Sequence, residues 1–272
     1  MSRVELHYGA TTDVGHVRRV NEDSFLAAPP IFVVADGMGG HSGGDVASRI
    51  VAEEFAALAD SEHTPQSGAE AIADLLSRSQ ARIQEYAEAQ RTSGAQRWYA
   101  GTTAVIALLV HDNGFHKWLL ANLGDSRIYR LLDGSLEQVS VDHSVVQELI
   151  EAGEITAAEA DTHPERHVVT RALGGPGVAE ADYFLLPMPS VERLLLCSDG
   201  ISGLICDEVI AELLNKFDDP RDAADHLVRA ALEAGGRDNA TAIVVDVVGL
   251  HASETDDSPM SVSLEQKLGA RP

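Results

Sequence analysis

Three carboxylates stand where apolar runs give way to turns. Asp36, followed by Gly37, ends the run Ile31-Phe32-Val33-Val34-Ala35; Asp199, followed by Gly200, comes after Leu194-Leu195-Leu196; and Asp238-Asn239 precedes Ala240 to Val248. Asp-Gly is ordinary turn chemistry, so each of them taken singly reads as a turn residue. Together they set three acidic groups at the rim of a sheet. Carboxylates brought close raise one another's pKa, and such a cluster normally exists to hold a cation. Oxygen-only ligation favours Mg²⁺ or Mn²⁺ over Zn²⁺. Asp125, after the apolar segment Trp118 to Leu123, is a fourth rim carboxylate. Glu22-Asp23 supplies two more, just beyond Arg18-Arg19, and the planar fork of an arginine suits the paired oxygens of a phosphate. The plainer reading of that last segment is a set of surface ion pairs.

The glycines of Asp36-Gly37-Met38-Gly39-Gly40-His41-Ser42-Gly43-Gly44 resemble a phosphate-cradling loop, but no Gly-Lys-Ser/Thr follows, which rejects a P-loop. There is no Gly-x-Ser-x-Gly elbow, His-Glu-x-x-His or Cys-x-x-Cys, so acyl-enzyme and zinc-protease chemistry have no support.

The elements that must position these groups follow from periodicity. Val4 to Ala10 alternates and Ile31 to Ala35 reads as a buried strand. From Ser42, which with Asp45 resembles a capping box, Ala47, Ile50, Val51, Phe55 and Leu58 recur at helical spacing. Asp60 to Gly68 reads as a polar loop and Ala69 to Gln90 as a second helix. Short strands follow as an antiparallel meander: Thr102 to Val110, Phe115 to Leu123, Arg127 to Leu132 and Ser135 to Val139. A helical insertion over Val145 to Ala160, broken at Gly153 and restarted by Thr156 with Glu159, reads as a mobile flap of about 145–167. Strands resume at Tyr183 to Leu186 and Arg193 to Cys197; helices cover Asp207 to Phe217 and Pro220 to Ala234; Ala240 to Val248 is the last strand. This order argues for antiparallel sheets covered by helices rather than βαβ units. Residues 1–248 form one domain, and 249–272, rich in Ser, Asp and Glu, form a flexible acidic tail.

Composition sets the limits. The chain has 272 residues, 44% of them hydrophobic, enough for a large core. Its formal charge of −23 repels nucleic acid and anionic membranes. Two cysteines, Cys197 and Cys206, are too few for a disulfide framework and point to a reducing compartment. Met1 to Thr12 has no signal-like apolar region, and Thr103 to Val110 is far too short to span a bilayer. A cytoplasmic monomer is expected, with no nucleic acid or membrane partner.

Six segments in order, Arg18-x-x-Asn21-Glu22-Asp23, Asp36-Gly37-Met38-Gly39-Gly40, Gly101-Thr102-Thr103, Gly124-Asp125-Ser126-Arg127, Ser198-Asp199-Gly200 and Asp238-Asn239-Ala240-Thr241, resemble the motif set of PP2C-type protein serine/threonine phosphatases. The resemblance runs from about Thr11 to Val248. It implies an α+β fold, a four-layer α/β/β/α sandwich of two antiparallel sheets flanked by helices, with two Mg²⁺ or Mn²⁺ ions in a cleft at one end. By position, Asp36 would bridge both ions, the Gly37 carbonyl would bind one, and Asp199 and Asp238 the other. Glu22 and Asp23 would act through waters, and Arg18 would hold the substrate phosphate. Bacterial members often bind a third metal, for which Asp125 and Asp199 match, with an oxygen from the flap near Thr162.

The implied reaction is attack on phosphorus by a hydroxide bridging the ions, with phosphorylated proteins, among them serine/threonine kinases and their substrates, as partners. Met38 stands where eukaryotic-type members carry a histidine proposed as general acid. His163 on the flap, His41 or a metal-bound water would have to protonate the leaving oxygen. Two other readings compete. One is a pseudophosphatase that only binds phosphoproteins, against which the full set of carboxylates argues. The other is a phosphatase of the haloacid dehalogenase type with Asp36 as nucleophile, which usually needs Asp-x-Asp where this chain has Asp36-Gly37-Met38.

Overall fold

Alternation within single strands creates the layers. In β3 (Ile31–Met38), Ile31, Val33 and Ala35 point to one face and Phe32 and Val34 to the other, and all five are fully buried. A strand buried on both faces must lie between two other layers. The structure is a computed structural model describing residues 4–39, 43–93, 99–177, 180–188, 191 and 193–248. Gly40, His41 and Ser42, and the tail from 249, lie outside the described residues.

Among the described residues eleven strands form two sheets, with every strand pair antiparallel. Sheet I has the order β1 (Glu5–Asp13), β11 (Ala240–Val248), β10 (Arg193–Cys197), β7 (Arg127–Leu132), β8 (Ser135–Gln138). Sheet II has the order β2 (Asp23–Ala28), β3, β5 (Ala104–Asp112), β6 (Phe115–Leu123), β9 (Asp182–Pro187), with the short β4 (Gly101–Thr102) paired to the end of β3. Phe32, Val34, Val105, Trp118 and Leu120 of sheet II meet Ile128, Leu194, Leu196, Ile243 and Val245 of sheet I in the central layer. Helices α1 (Gly44–Phe55) and α2 (Pro65–Thr92) cover the outer face of sheet II. Helices α5 (Asp199–Ser202), α6 (Asp207–Lys216) and α7 (Pro220–Glu233) cover sheet I. Between β8 and β9 lie the short α3 (Val145–Glu151) and α4 (Ala157–Ala160), the latter opened by the Thr156/Glu159 capping box read from the sequence.

Several local expectations change. Helix α1 starts from Gly43; Ser42, read with Asp45 as a capping box, lies outside the described residues. Helix α2 begins at Pro65, where a loop was expected; Thr64 caps it and Pro65 takes the first turn, where its missing N–H costs nothing. The expected meander is divided: β5 and β6 belong to sheet II, β7 and β8 to sheet I, and the chain changes sheet at Gly124-Asp125-Ser126. The first of the meander's strands is interrupted at Thr103, whose N–H donates to the Asp36 carbonyl at 2.9 Å. Strand β2 and helix α5 had no clear pattern in the sequence, being short and half polar.

Phe32, fully buried in the central layer, stands edge-on to Trp118 with ring centroids 6.1 Å apart. Phe32→Ala should lose about 3–5 kcal/mol of stability in urea unfolding through lost transfer energy and the cavity left behind. A loss below about 1 kcal/mol would show that the two sheets are not closely packed there.

Candidate metal centre

Antiparallel pairing of β2 with β3 places Asp23 directly opposite Asp36. Asp36 is fixed through its backbone: its N–H donates to Thr103 Oγ1 at 3.0 Å, and its carbonyl accepts from Thr102 Oγ1 at 2.9 Å. Thr103 Oγ1 also shares a 2.8 Å hydrogen bond with Ser126 Oγ, tying the end of β3 to the sheet-switching turn that carries Asp125. Gly37 donates its N–H to the Glu22 carbonyl at 3.1 Å. Asp199 opens α5. The next residue, Gly200, packs so closely on the Asn239 carbonyl that any Cβ would collide with it, which is what brings Asp199 beside Asp238. Asn239 finishes the join: its Nδ2 donates to the Val14 and Val20 carbonyls at 2.9 and 3.1 Å, and its Oδ1 accepts from Glu22 N–H at 2.8 Å.

Arg18, Glu22, Asp36, Gly37, Asp125, Asp199 and Asp238 consequently line one cleft of about 600 Å³. Asp23 is set behind it. Its Oδ2 accepts from Ser198 Oγ at 2.8 Å and Thr241 Oγ1 at 2.6 Å, while its Oδ1 is buried with no hydrogen-bond partner among the described residues. Ser198 and Thr241 belong to the sequence motifs, but their work in seating Asp23 is visible only once β10 and β11 pair.

The electrostatics follow from this crowding. Burial, then the charges of Asp23, Asp199 and Asp125, hold Asp36 well above the ordinary aspartate range. Burial pushes Asp125 up to about 7, with Asp199 and Asp142 adding to it, and burial pushes Asp23 up to about 7 despite its two hydroxyl donors. Asp199 and Glu22 are raised as well, again first by burial. Arg18 Nη2 pairs with Asp238 Oδ2 at 2.6 Å, and that hydrogen bond holds the guanidinium above its ordinary value. Arg127 binds both oxygens of Asp142 at 2.8 to 3.0 Å and neutralises it beside Asp125.

This donor set fits hard divalent cations. The ligands are all oxygens, their negative charges are too close to coexist comfortably, and a buried carboxylate oxygen is unpartnered. Among the described residues no three His, Cys, Asp or Glu side chains close into a ready-made cage.

Residues the sequence reading passed over also line the cleft: Arg166, His167 and Arg237. The first two lie in a polar stretch without periodicity and had no signal. His163 is half-buried, accepting the Glu165 N–H at Nδ1, and it is not part of the cleft lining. The Thr162 hydroxyl donates to the Glu159 carbonyl; Asp161, its neighbour, lines a second cavity of about 480 Å³ together with Asp125 and Asp199.

A carboxyl whose folded pKa is raised contributes stability below its unfolded pKa, and this is lost as pH climbs to the folded value. With Asp23 and Asp125 at about 7 against an ordinary 3.8, metal-free protein should lose stability between about pH 4 and pH 7. Thermal unfolding in chelator across that range should show the fall. Asp23→Asn should flatten it and Mn²⁺ should offset it; a melting temperature rising steadily from pH 4 to 7 in chelator would contradict the site's electrostatics.

Comparison with known proteins bears on the whole arrangement. The family model described as Protein phosphatase 2C matches residues 16–246. The serine/threonine protein phosphatase PstP of Mycobacterium tuberculosis is 39% identical over 259 residues, covering 94% of this chain and 48% of that protein. The serine/threonine phosphatase stp of Listeria monocytogenes is 35% identical over 250 residues, covering 89% and 96%. This chain thus spans about half the length of the mycobacterial relative and nearly all of the Listeria one. A crystal structure of the PstP catalytic domain in complex with 2 manganese ions superposes with a TM-score of 0.75 at 35% identity, over 90% of this chain and all of that one. With two antiparallel sheets, helices on both outer faces and a carboxylate-lined cleft at the strand ends, the chain belongs to the protein phosphatase 2C family.

Proposed function

We propose that this chain is a metal-dependent protein phosphatase that hydrolyses phosphoserine and phosphothreonine in proteins, with serine/threonine kinases and their targets as its substrates. The observation that carries the reading is the convergence of Glu22, Asp36, Asp125, Asp199 and Asp238 on one cleft whose rim holds Arg18. Asp36, Gly37, Asp199 and Asp238 would hold two Mn²⁺ or Mg²⁺ ions, Glu22 and Asp23 would orient coordinated water, and Asp125 with Asp199 would hold a third ion. Bound divalent cations supply Lewis-acid charge and promote the ionisation of water near neutral pH. Names of relatives and the manganese-bound neighbour support this reading.

The chain's own side chains do the rest. Arg18 offers a fork to the phosphoryl oxygens while its bond to Asp238 keeps it over the cleft. His167 lines the cleft and is close enough to Asp199 to lower that carboxyl's pKa. Among the described residues it is the imidazole best placed to protonate the leaving serine or threonine oxygen, the task for which Met38 is useless. An aspartyl-phosphate route through Asp36 lacks a second acid at position 38, and Asp36 is hemmed in by other carboxylates that would repel the phosphate.

Mn²⁺-dependent release of phosphate from a phosphothreonine peptide should be seen with the wild-type chain, and Asp36→Ala should lower kcat on the order of 10³-fold. A metal-independent rate, or a covalent phosphate trapped on Asp36, would sink the assignment. Arg18→Ala should reduce kcat/KM about 10- to 100-fold, the worth of a charge-assisted hydrogen bond to phosphate. Because Arg18 also pairs with Asp238, it should shift Mn²⁺ affinity as well, and Arg18→Lys should restore only part. An unchanged kcat/KM for Arg18→Ala would remove Arg18 from phosphate binding.

A further inference from the structure

His143 is 5% exposed and stands where three segments meet. Its backbone N–H donates to the Gly124 carbonyl at 2.9 Å, and its own carbonyl accepts from Thr170 N–H at 2.8 Å. Its ring is held at both nitrogens: Gly124 N–H points at Nδ1 across 3.1 Å, and Nε2 faces Asp182 Oδ2 at 3.1 Å. A backbone N–H can only donate, so Nδ1 is the bare nitrogen and the ring proton sits on Nε2, given to Asp182. Arg171 Nη1 binds the other Asp182 oxygen at 3.1 Å and lies 3.4 Å from Nε2. The Gly124 N–H on Nδ1 and the Asp182 carboxylate on Nε2, itself held by Arg171, together fix the tautomer.

Gly124 sits at φ +115, and any side chain there would strike Thr103, so this residue is held through its backbone. His143 engages both of its polar groups, the carbonyl shared with Asn122 Nδ2 at 3.3 Å. The next residue is Asp125. From the other side of His143, Ser144 forms a bridge to Val169, and Val145 N–H donates to the Val168 carbonyl, closing the base of the 145–167 segment. One buried residue thus holds the turn that presents Asp125 with its ring and backbone, and joins it through its backbone to the base of the 145–167 segment.

We propose that His143 is a positioning residue: through Gly124 it fixes the Asp125 carboxylate for the cation position shared with Asp199, and the Asp182–Arg171 pair holds His143 in the tautomer that does this. The inference rests on the reading above that Asp125 and Asp199 bind an ion. Removing a group that orients a metal ligand from behind typically costs 10- to 100-fold in metal affinity.

The test is Mn²⁺ binding to the full chain, followed by equilibrium dialysis and by the electron paramagnetic resonance signal of free Mn²⁺, with circular dichroism confirming the fold. Asp125→Ala should lose one binding event. His143→Ala should weaken that same event about 10- to 100-fold and leave the others in place. His143→Asn, whose amide oxygen can stand where Nδ1 stood, should recover most of the affinity. If His143→Ala does not fold, Asp182→Ala, which frees the tautomer from the half-exposed side, should weaken the same event by a smaller factor. A wild-type isotherm for folded His143→Ala or for Asp182→Ala overturns the proposal, as does His143→Asn binding no better than His143→Ala. If Asp125→Ala itself binds as the wild type does, the assignment of Asp125 to a cation has failed, and the proposal falls with it.

Discussion

Like charges held at close range govern this molecule. Asp23, Asp125 and Asp199 each raise the cost of ionising Asp36, Asp199 does the same to Asp23 and Asp125, and burial raises it further. Such an arrangement lowers stability in the metal-free state and persists only because the surrounding fold over-determines it. The large apolar layers supply that determination. Three clusters of buried side chains, one between the sheets and one under each helical face, fix the strand ends to within the reach of a hydrogen bond. Carboxylates attached to those ends cannot move apart to relieve their repulsion.

Small residues and hydroxyls turn that rigidity into geometry. Ser198 and Thr241 face each other across paired strands, and both donate to one oxygen of Asp23. Asn239 joins the loops at Val14, Val20 and Glu22, which lets the arginine segment of the N-terminal region and the Asp238 turn of the C-terminal region share one rim. Backbone groups thus hold the acidic residues from behind while their side chains face the cleft. The same logic makes Asp125 depend on His143: a carboxylate in a turn is only as well placed as the backbone of that turn.

Legibility in the sequence followed how each feature is encoded. Strands β7, β10 and β11 were readable to the residue because mainly apolar runs are bounded there by turn or charged residues, and α4 because its capping box is a local signal. Asp36, Asp125, Asp199 and Asp238 could be read because each ends or begins such a run. The division of the meander between two sheets was not legible, since β6 and β7 carry the same alternation whichever sheet they join; only the positive φ of Gly124 and the packing on Thr103 decide it. His167 and Arg237 were invisible for a related reason. They reach the cleft from segments whose local pattern says only that they are exposed.

The charge balance inside the cleft sets the order of events. The chain carries −23 overall, but at physiological salt charges more than about 8 Å away are largely screened, so a phosphorylated substrate responds mainly to the cleft lining. There, Glu22, Asp36, Asp125, Asp199 and Asp238 outnumber Arg18, Arg166 and Arg237. Metal-free, the cleft is therefore net negative when its carboxylates are ionised and repels a phosphoryl dianion, even with Arg18 at its rim. On the proposed reading, two divalent cations would reverse that sign. The arginines would then act in the same direction as the centre instead of against it, and Arg18, no longer the main counter-charge of Asp238, would be free to turn toward a phosphate. Cation binding would then precede phosphate binding, because the carboxylate ring that destabilises the metal-free protein also repels an anion until its charge is offset.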